Sequence, residues 1–460
     1  MIELFKPNDP FRLILGVVVF IILTLPLIWV ELPLTTTSVA NNVIGDKIND
    51  GFWIYRDIWD YTGIFTSLAF GFTNIFNNAH AFNTVLSLII IYIIGVQCSL
   101  TMNKNEVYNQ KNFLTLYFFM LSVFVSFTTL ELSAQLMSLL FLSFALPIVL
   151  KHFSGHLHDE DRILLGLWHG IASLFYFPST IFFVLHLLFF AAFTKLKPTS
   201  YLLSIFGFVL PYFFICITYY THGSLVDFVN RGILSYFYFN FRDGIGLENI
   251  LKLSLPLISV IIFAYFTLFS QNHNNIQSTC KALMFMWFLC FFVIIFWTNF
   301  DVYNLCYLCI PFAYFSSYMF LVLKKVILRL ILSLAIPLGI LGLFWTDMKS
   351  PIRKKPEQSI ICDKETLPFK DKKLLVLGND VSKYYHQKMA TKYFFWPMAQ
   401  KHFRKVNTYA GITMVYTSIM EDKPEVIYDK DNLMGTLSAH IPGLKAMYHT
   451  SDHKIYYLTK

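Results

Sequence analysis

Residues 62–77 read "TGIFTSLAFGFTNIFN", and whether this run crosses a membrane decides the topology of the whole chain. At 16 residues, with two Gly and two Asn, it is shorter than the roughly 20 residues a helix needs to span the hydrocarbon core. The sequence holds eleven better candidates, near 12–32, 82–102, 112–130, 132–150, 163–177, 178–194, 201–220, 251–270, 282–298, 303–323 and 326–346. If 62–77 stays on one face, the connections carrying Lys6/Arg12, Lys104/Lys111, Lys151/Arg162, Lys195/Lys197, Lys281 and Lys324/Lys325/Arg329 fall on one side. The bias of Lys and Arg makes that side cytoplasmic. If 62–77 crosses, the signs scramble. The run therefore reads as a juxtamembrane or re-entrant helix on the outer face, allowed where protein or an aqueous cavity covers its backbone.

Composition supports a polytopic α-helical membrane protein. Of 460 residues, 56% are hydrophobic and 14% charged, and the mean hydropathy is +0.56, which excludes an ordinary soluble domain. The net charge of +8 then reports membrane side rather than nucleic acid. The start, "MIELFKPNDPFRLILG", lacks a small-residue cleavage pattern and reads as the entry to the first span. Six of the seven Cys lie in or beside apolar runs, so the chain has no disulfide framework. Cys306 and Cys309 have CxxC spacing without a second ligand pair, which favours packing over metal.

The composition changes at about residue 347. Residues 347–460 hold 19 of the 36 Lys and Arg and read as a separate soluble domain beside a transmembrane domain, 1–346, whose first outer loop is 33–81. "KKLLVLGND" (372–380) is a short buried strand with Asp380 as a cap. "VSKYYHQKMATKYFFWPMAQKHF" has helical character broken near Pro397, and "GITMVYTSIMEDKPEVIYD" reads as helix, turn and strand, with a last strand in "HKIYYLTK". This alternation predicts a small α/β layer. The GND turn has one Gly and no GxGxxG, too little for a nucleotide site.

Three places could carry chemistry. "KHFSGHLHDED" (151–161) joins His152, His156 and His158 to three acids and could hold a divalent metal, or be a solvated cytoplasmic loop. His169 and His186 are ionisable groups inside spans, functional suspects unless they bond each other or neighbouring helices. The outer face carries Asp46, Asp50, Asp57, Asp60, Glu131, Arg231, Arg242, Asp243 and Glu248. Among these, "DGFWIYRDIWDYTG" (50–63) sets Arg56, Asp57 and Asp60 among large rings that favour the membrane interface. A carboxylate in a partly dry pocket can act as general base, and an Arg can hold a lipid-linked phosphate. No GxSxG, HExxH or Walker-type loop occurs.

The stretch Gly51, Tyr55, Arg56, Asp57, Trp59, Asp60, Gly63 resembles the first outer loop of the GT-C class of integral-membrane glycosyltransferases. That class includes the bacterial relatives of the protein O-mannosyltransferases and the lipid A aminoarabinose transferases. Glu131 in "TTLELSAQL" resembles the acid that opens a later helix in that class, and "LLVLGND" with "TKYFFWP" (391–397) resembles its extracytoplasmic α/β domain. The resemblance implies a bacterial inner-membrane protein that takes a polyprenyl-phosphate sugar as donor and a glycan, lipid or protein outside the cytoplasm as acceptor. It implies Asp57 as base, with Glu131 and Asp60 as further acids. Arg56, Arg242 and Lys383 become phosphate candidates, and Tyr55 and Tyr393 substrate contacts. One departure stands out. Where the class carries an acidic pair, about fourteen residues before Gly51, this chain has Thr36, Thr37 and Ser38. Either Asp57 or a neighbouring acid serves as base, or the chain is a non-catalytic scaffold of the same fold. A secondary transporter, which would show inverted repeats and broken helices, has only Pro178 and His169 in its favour.

Overall fold

The computed structural model describes residues 2–5, 9–29, 32–76, 78–153, 158–193, 197–239, 244–269, 275–349, 361–362, 367, 369–403, 408–430, 432–450 and 454–459. The chain divides into two compact units, one formed by 1–33, 80–215 and 241–359, the other by 34–79, 216–240 and 360–460.

The first unit is helical throughout its apolar runs. A helix meets each of the eleven segments expected from sequence: Phe11–Trp29, Ala79–Lys104, Leu114–Ser122, Ala134–Phe153, Asp159–Phe175, Thr180–Phe193, Pro198–Thr221, Leu247–Phe269, Asn275–Trp297, Cys309–Val322 and Val326–Met348. Among the described residues, seven helical segments are long and apolar enough to cross a membrane, and shorter apolar helices accompany them. The chain is an integral membrane protein. In lipid, helices gain little from hiding apolar surface against each other, so they associate where small residues let backbones approach. Gly166 of Asp159–Phe175 and Gly207 of Pro198–Thr221 meet in this way. A Cβ at Gly166 would collide with the Ser204 carbonyl oxygen, and one at Gly207 with that of Ile163. Among the described residues the cysteines form no disulfide, and Cys306 and Cys309 are fully packed.

The second unit is built on two short helices and a sheet. Thr35 caps the helix Thr36–Asn49, its hydroxyl accepting from the Ser38 N–H at 3.0 Å, which satisfies one of the helix's unpaired amides. The 62–77 run folds as Ile64–Asn74, too short to span. Asn74 Nδ2 donates to the Asn42 carbonyl at 2.6 Å and to Asp46 at 2.9 Å, fastening the two helices together.

The tail supplies five strands: β1 (Lys373–Leu377), β2 (Lys388–Met389), β3 (Val426–Asp429), β4 (Tyr448–Thr450) and β5 (Ile455–Leu458). Their order in the sheet is β2-β1-β3-β5-β4. β1 runs parallel to β2 and β3, while β5 is antiparallel to β3 and β4. Burial of Leu374, Leu375, Val376 and Leu377 on both sheet faces accounts for the unbroken apolar run in β1. One reading is corrected here. Residues 385–395 are not helical, and Pro397 does not break a helix but stands in the first turn of Trp396–Phe403, where its missing N–H costs nothing.

Candidate functional site

The "YRDIWDYTG" stretch folds as a tight, buried corner of the second unit. Tyr55 takes a left-handed backbone, φ 69°, a conformation costly for a large side chain. It is held there by its N–H to the Ile58 carbonyl and its hydroxyl to the Thr62 carbonyl, both 2.8 Å. Its ring is buried against Tyr219 and Phe228. A Cβ on Gly232 would come 2.9 Å from that ring, so only glycine fits beside it. Tyr55 thus shapes the corner from inside.

The two aspartates have different surroundings. Asp60 is fully buried, and one of its oxygens accepts from the Thr62 N–H at 2.9 Å and the Thr62 hydroxyl at 2.6 Å, an Asx-type turn. Asp57 keeps 23% of its side chain exposed. It accepts from the Trp53 N–H at 2.9 Å, while Arg56 Nε pairs with its other oxygen at 2.9 Å. That bond, foremost, raises the Arg56 guanidinium pKa. Arg56 and Asp57 therefore sit as a half-open ion pair at the rim of the corner.

Trp59 is the hub. Its N–H donates to the Lys392 carbonyl and its carbonyl accepts from the Phe395 N–H, both at 2.9 Å. These bonds stitch the corner to the tail. The indole is buried in the tail's core with Leu375, Leu377, Ile427 and Phe403. Arg231 Cζ lies 4.1 Å from the ring centroid and Lys392 Nζ 5.3 Å. The His402 ring is 4.7 Å away and Tyr393 meets Trp59 edge-on at 5.2 Å. Arg231 comes from a π-helical turn, Phe228–Leu234, a distortion frequent at functional sites. It donates to the Tyr55 carbonyl at 2.6 Å and to Asp227 at 2.5 Å. Burial lowers the pKa of Arg231, and burial with the nearby Arg231 charge lowers that of Lys392. Two partly desolvated cations side by side favour an arriving anion.

The remaining expected residues are spread more widely. Tyr393 is buried, with its hydroxyl on the Met414 carbonyl at 3.3 Å, a packing residue of the tail. Lys383, in the turn Val381–Tyr384, stands over Tyr428 at 5.6 Å. Arg242 lies outside the described residues. Glu131 belongs to the first unit. It is buried there and accepts from the Tyr303 hydroxyl at 2.6 Å. Nearby in sequence to Tyr303, Asp301 caps the turn Val302–Leu308 and accepts from Gln135 Nε2 at 2.8 Å and the Tyr176 hydroxyl at 3.5 Å.

Among the described residues, no three His, Cys, Asp or Glu side chains gather as a metal site. Of the 151–161 stretch, His156 lies outside the described residues. Asp161 accepts from the His158 N–H at 3.1 Å and from Lys151 at 2.6 Å, so this acid caps the start of Asp159–Phe175. His169 and His186 bond each other, Nε2 to Nδ1 at 2.7 Å, with His169 Nδ1 on the Leu165 carbonyl at 2.8 Å. Because a carbonyl only accepts, His169 carries its proton on Nδ1, and His186 Nδ1–H donates to His169 Nε2. Sequence reasoning did not single out Arg231 or Lys392. The four-residue spacing of Asp227 and Arg231, and the Lys392-Tyr393 step in "TKYFFWP", were the available signals.

No protein-family model matches the sequence, and no curated protein does. Among solved structures the chain is similar to ArnT from Cupriavidus metallidurans bound to undecaprenyl phosphate. The TM-score is 0.56 at 8% identity, over 96% of this chain and 97% of that one. The chain has the fold of the GT-C class of membrane glycosyltransferases.

Proposed function

We propose that this protein transfers a sugar from a polyprenyl-phosphate donor to an acceptor outside the cytoplasm, with the tail from about 347 on that same side. The observation that carries the reading is the pair of half-buried cations on Trp59, Arg231 and Lys392, beside the half-open Arg56–Asp57 pair, in a fold shared along its length with an undecaprenyl-phosphate-bound protein. Arg231 and Lys392 would hold the donor's phosphate, and Arg56 would assist at the rim. In the reaction an acceptor oxygen attacks the sugar's anomeric carbon. The carbon–oxygen bond to phosphate breaks, and its electron pair leaves on the polyprenyl phosphate. The acceptor's proton passes to Asp57. Asp60 and Tyr55 keep the corner in shape, and Glu131 is assigned to ordering the first unit.

A second reading, a non-catalytic scaffold of this fold, is favoured by one observation. Where the class carries acids, Thr36, Thr37 and Ser38 form the first turn of the helix Thr36–Asn49 and bring no carboxylate. The two separate in a transfer assay. Purified protein is given radiolabelled undecaprenyl-phosphate sugars and extracytoplasmic membrane glycolipids, and release of undecaprenyl phosphate is followed. Transfer by the wild type, lost by about two to four orders of magnitude in Asp57→Asn, supports the proposal. Full turnover in Asp57→Asn removes Asp57 as base, and no turnover in the wild type favours the scaffold.

A further inference from the structure

We infer a second site in the first unit that takes a zwitterionic phosphoethanolamine headgroup of a membrane lipid. It is a cavity of about 490 Å³ lined by Lys104, Glu106, Lys151 and Asp161, with Pro147 and Ile276 among its apolar walls. Its position fixes the kind of ligand. The membrane-crossing segments Ala79–Lys104 and Ala134–Lys151 end at it, and Ile276–Trp297 begins at it. It therefore lies where spans give way to water, at the level of lipid headgroups.

Its charges fix the headgroup. Lys151 and Asp161 neutralise each other at 2.6 Å. Lys104 and Glu106 enter no ion pair among the described residues, which leaves one positive and one negative group at the wall. A ligand complementary to both carries a phosphate for the lysine and a primary ammonium for the carboxylate. An anionic headgroup would meet Glu106 as a like charge, and a choline headgroup has no N–H to give it.

The backbone marks Glu106 further. The helix Ala79–Lys104 ends in a Schellman pattern, Glu106 N–H to the Asn103 carbonyl at 3.3 Å and Val107 N–H to the Met102 carbonyl at 3.1 Å. Glu106 fills its left-handed position at φ 48°. Glycine is the usual residue there, so the glutamate is held against local preference.

The test uses full-length protein in nanodiscs of phosphatidylcholine doped with either phosphatidylethanolamine or phosphatidylglycerol. Lipid retained on the protein is counted by native mass spectrometry. The expected result is retention of phosphatidylethanolamine over both other lipids by about tenfold, as for one charge-assisted contact, falling to parity in Glu106→Gly. That variant also relieves the left-handed strain and should melt no lower than wild type, so loss of binding cannot be laid to misfolding. Equal retention of the three lipids, preference for phosphatidylglycerol, or unchanged selectivity in Glu106→Gly would overturn the site. Displacement by soluble glycerophosphoethanolamine at equal concentration would overturn the lipid as its source.

Discussion

Two places in this molecule gather carboxylates beside tyrosines, and they differ in what the acids have left to do. In the first unit, Glu131 is buried and takes the Tyr303 hydroxyl, and Asp301 is buried and takes Gln135 and Tyr176. In the second unit, Asp57 stays 23% exposed, paired with an Arg56 that is 42% exposed. A buried carboxylate that is already hydrogen-bonded chiefly orders its surroundings, since each bond it makes spares a buried donor from standing alone. A half-open carboxylate beside two cations on an aromatic face has room for a ligand and a charge environment suited to one. Acidity alone did not separate the two places; burial did.

Removing the indole on which the second place rests is the harshest test of that contrast. Trp59→Ala should destabilise the second unit by about 3–5 kcal/mol, visible as early proteolysis of the tail, because the ring sits in its core and stacks under Arg231 and Lys392. A milder loss is expected in the first unit. Glu131→Leu leaves the buried Tyr303 hydroxyl without its carboxylate and should cost about 1–3 kcal/mol in thermal unfolding. Arg56→Ala at the exposed rim should cost no more than about 0.5 kcal/mol. Equal costs at Glu131 and Arg56 would erase the difference between ordering and open acids.

The smallest effect is a pH dependence. Burial, with the nearby Arg231 charge, holds the Lys392 ammonium below the ordinary lysine value of 10.5. Its folded form therefore binds fewer protons than the unfolded chain between that lowered pKa and 10.5, and its contribution to stability grows as pH rises through this window. Anion binding runs the other way, because it needs the protonated amine. Affinity for undecaprenyl phosphate should fall as pH climbs through the lowered pKa, and Lys392→Arg should flatten the slope. A flat profile in the wild type would take Lys392 out of the site.

Much of the fold was legible because a membrane imposes simple rules. Span-length apolar runs located the helices, and 62–77, short for a crossing, folds as the 11-residue helix Ile64–Asn74. β1, β3 and β5 of the tail could be read from their apolar runs and flanking turns, while β2 and β4, two and three residues long, carry no such run. The stretch 385–395 could not, since its aromatic residues fit helical spacing while its backbone bonds go to Trp59, Leu374 and Lys372 instead. Within the site, the Arg56–Asp57 pair follows from adjacency. The roles of Arg231 and Lys392 do not, because about 170 residues of chain separate Arg231 from Trp59 and only folding stacks them. Thr36 to Ser38, an absence of acids in sequence, are the first turn of a helix that Thr35 caps.

The central claim is that Arg231 and Lys392 form a phosphate site on Trp59. Binding of undecaprenyl phosphate to the purified full-length protein near neutral pH, measured for wild type and for Arg231→Gln/Lys392→Gln, tests it directly. The account predicts saturable binding that weakens by at least about tenfold in the double variant, with the tail still protease-resistant. Wild-type affinity in a folded double variant would contradict it.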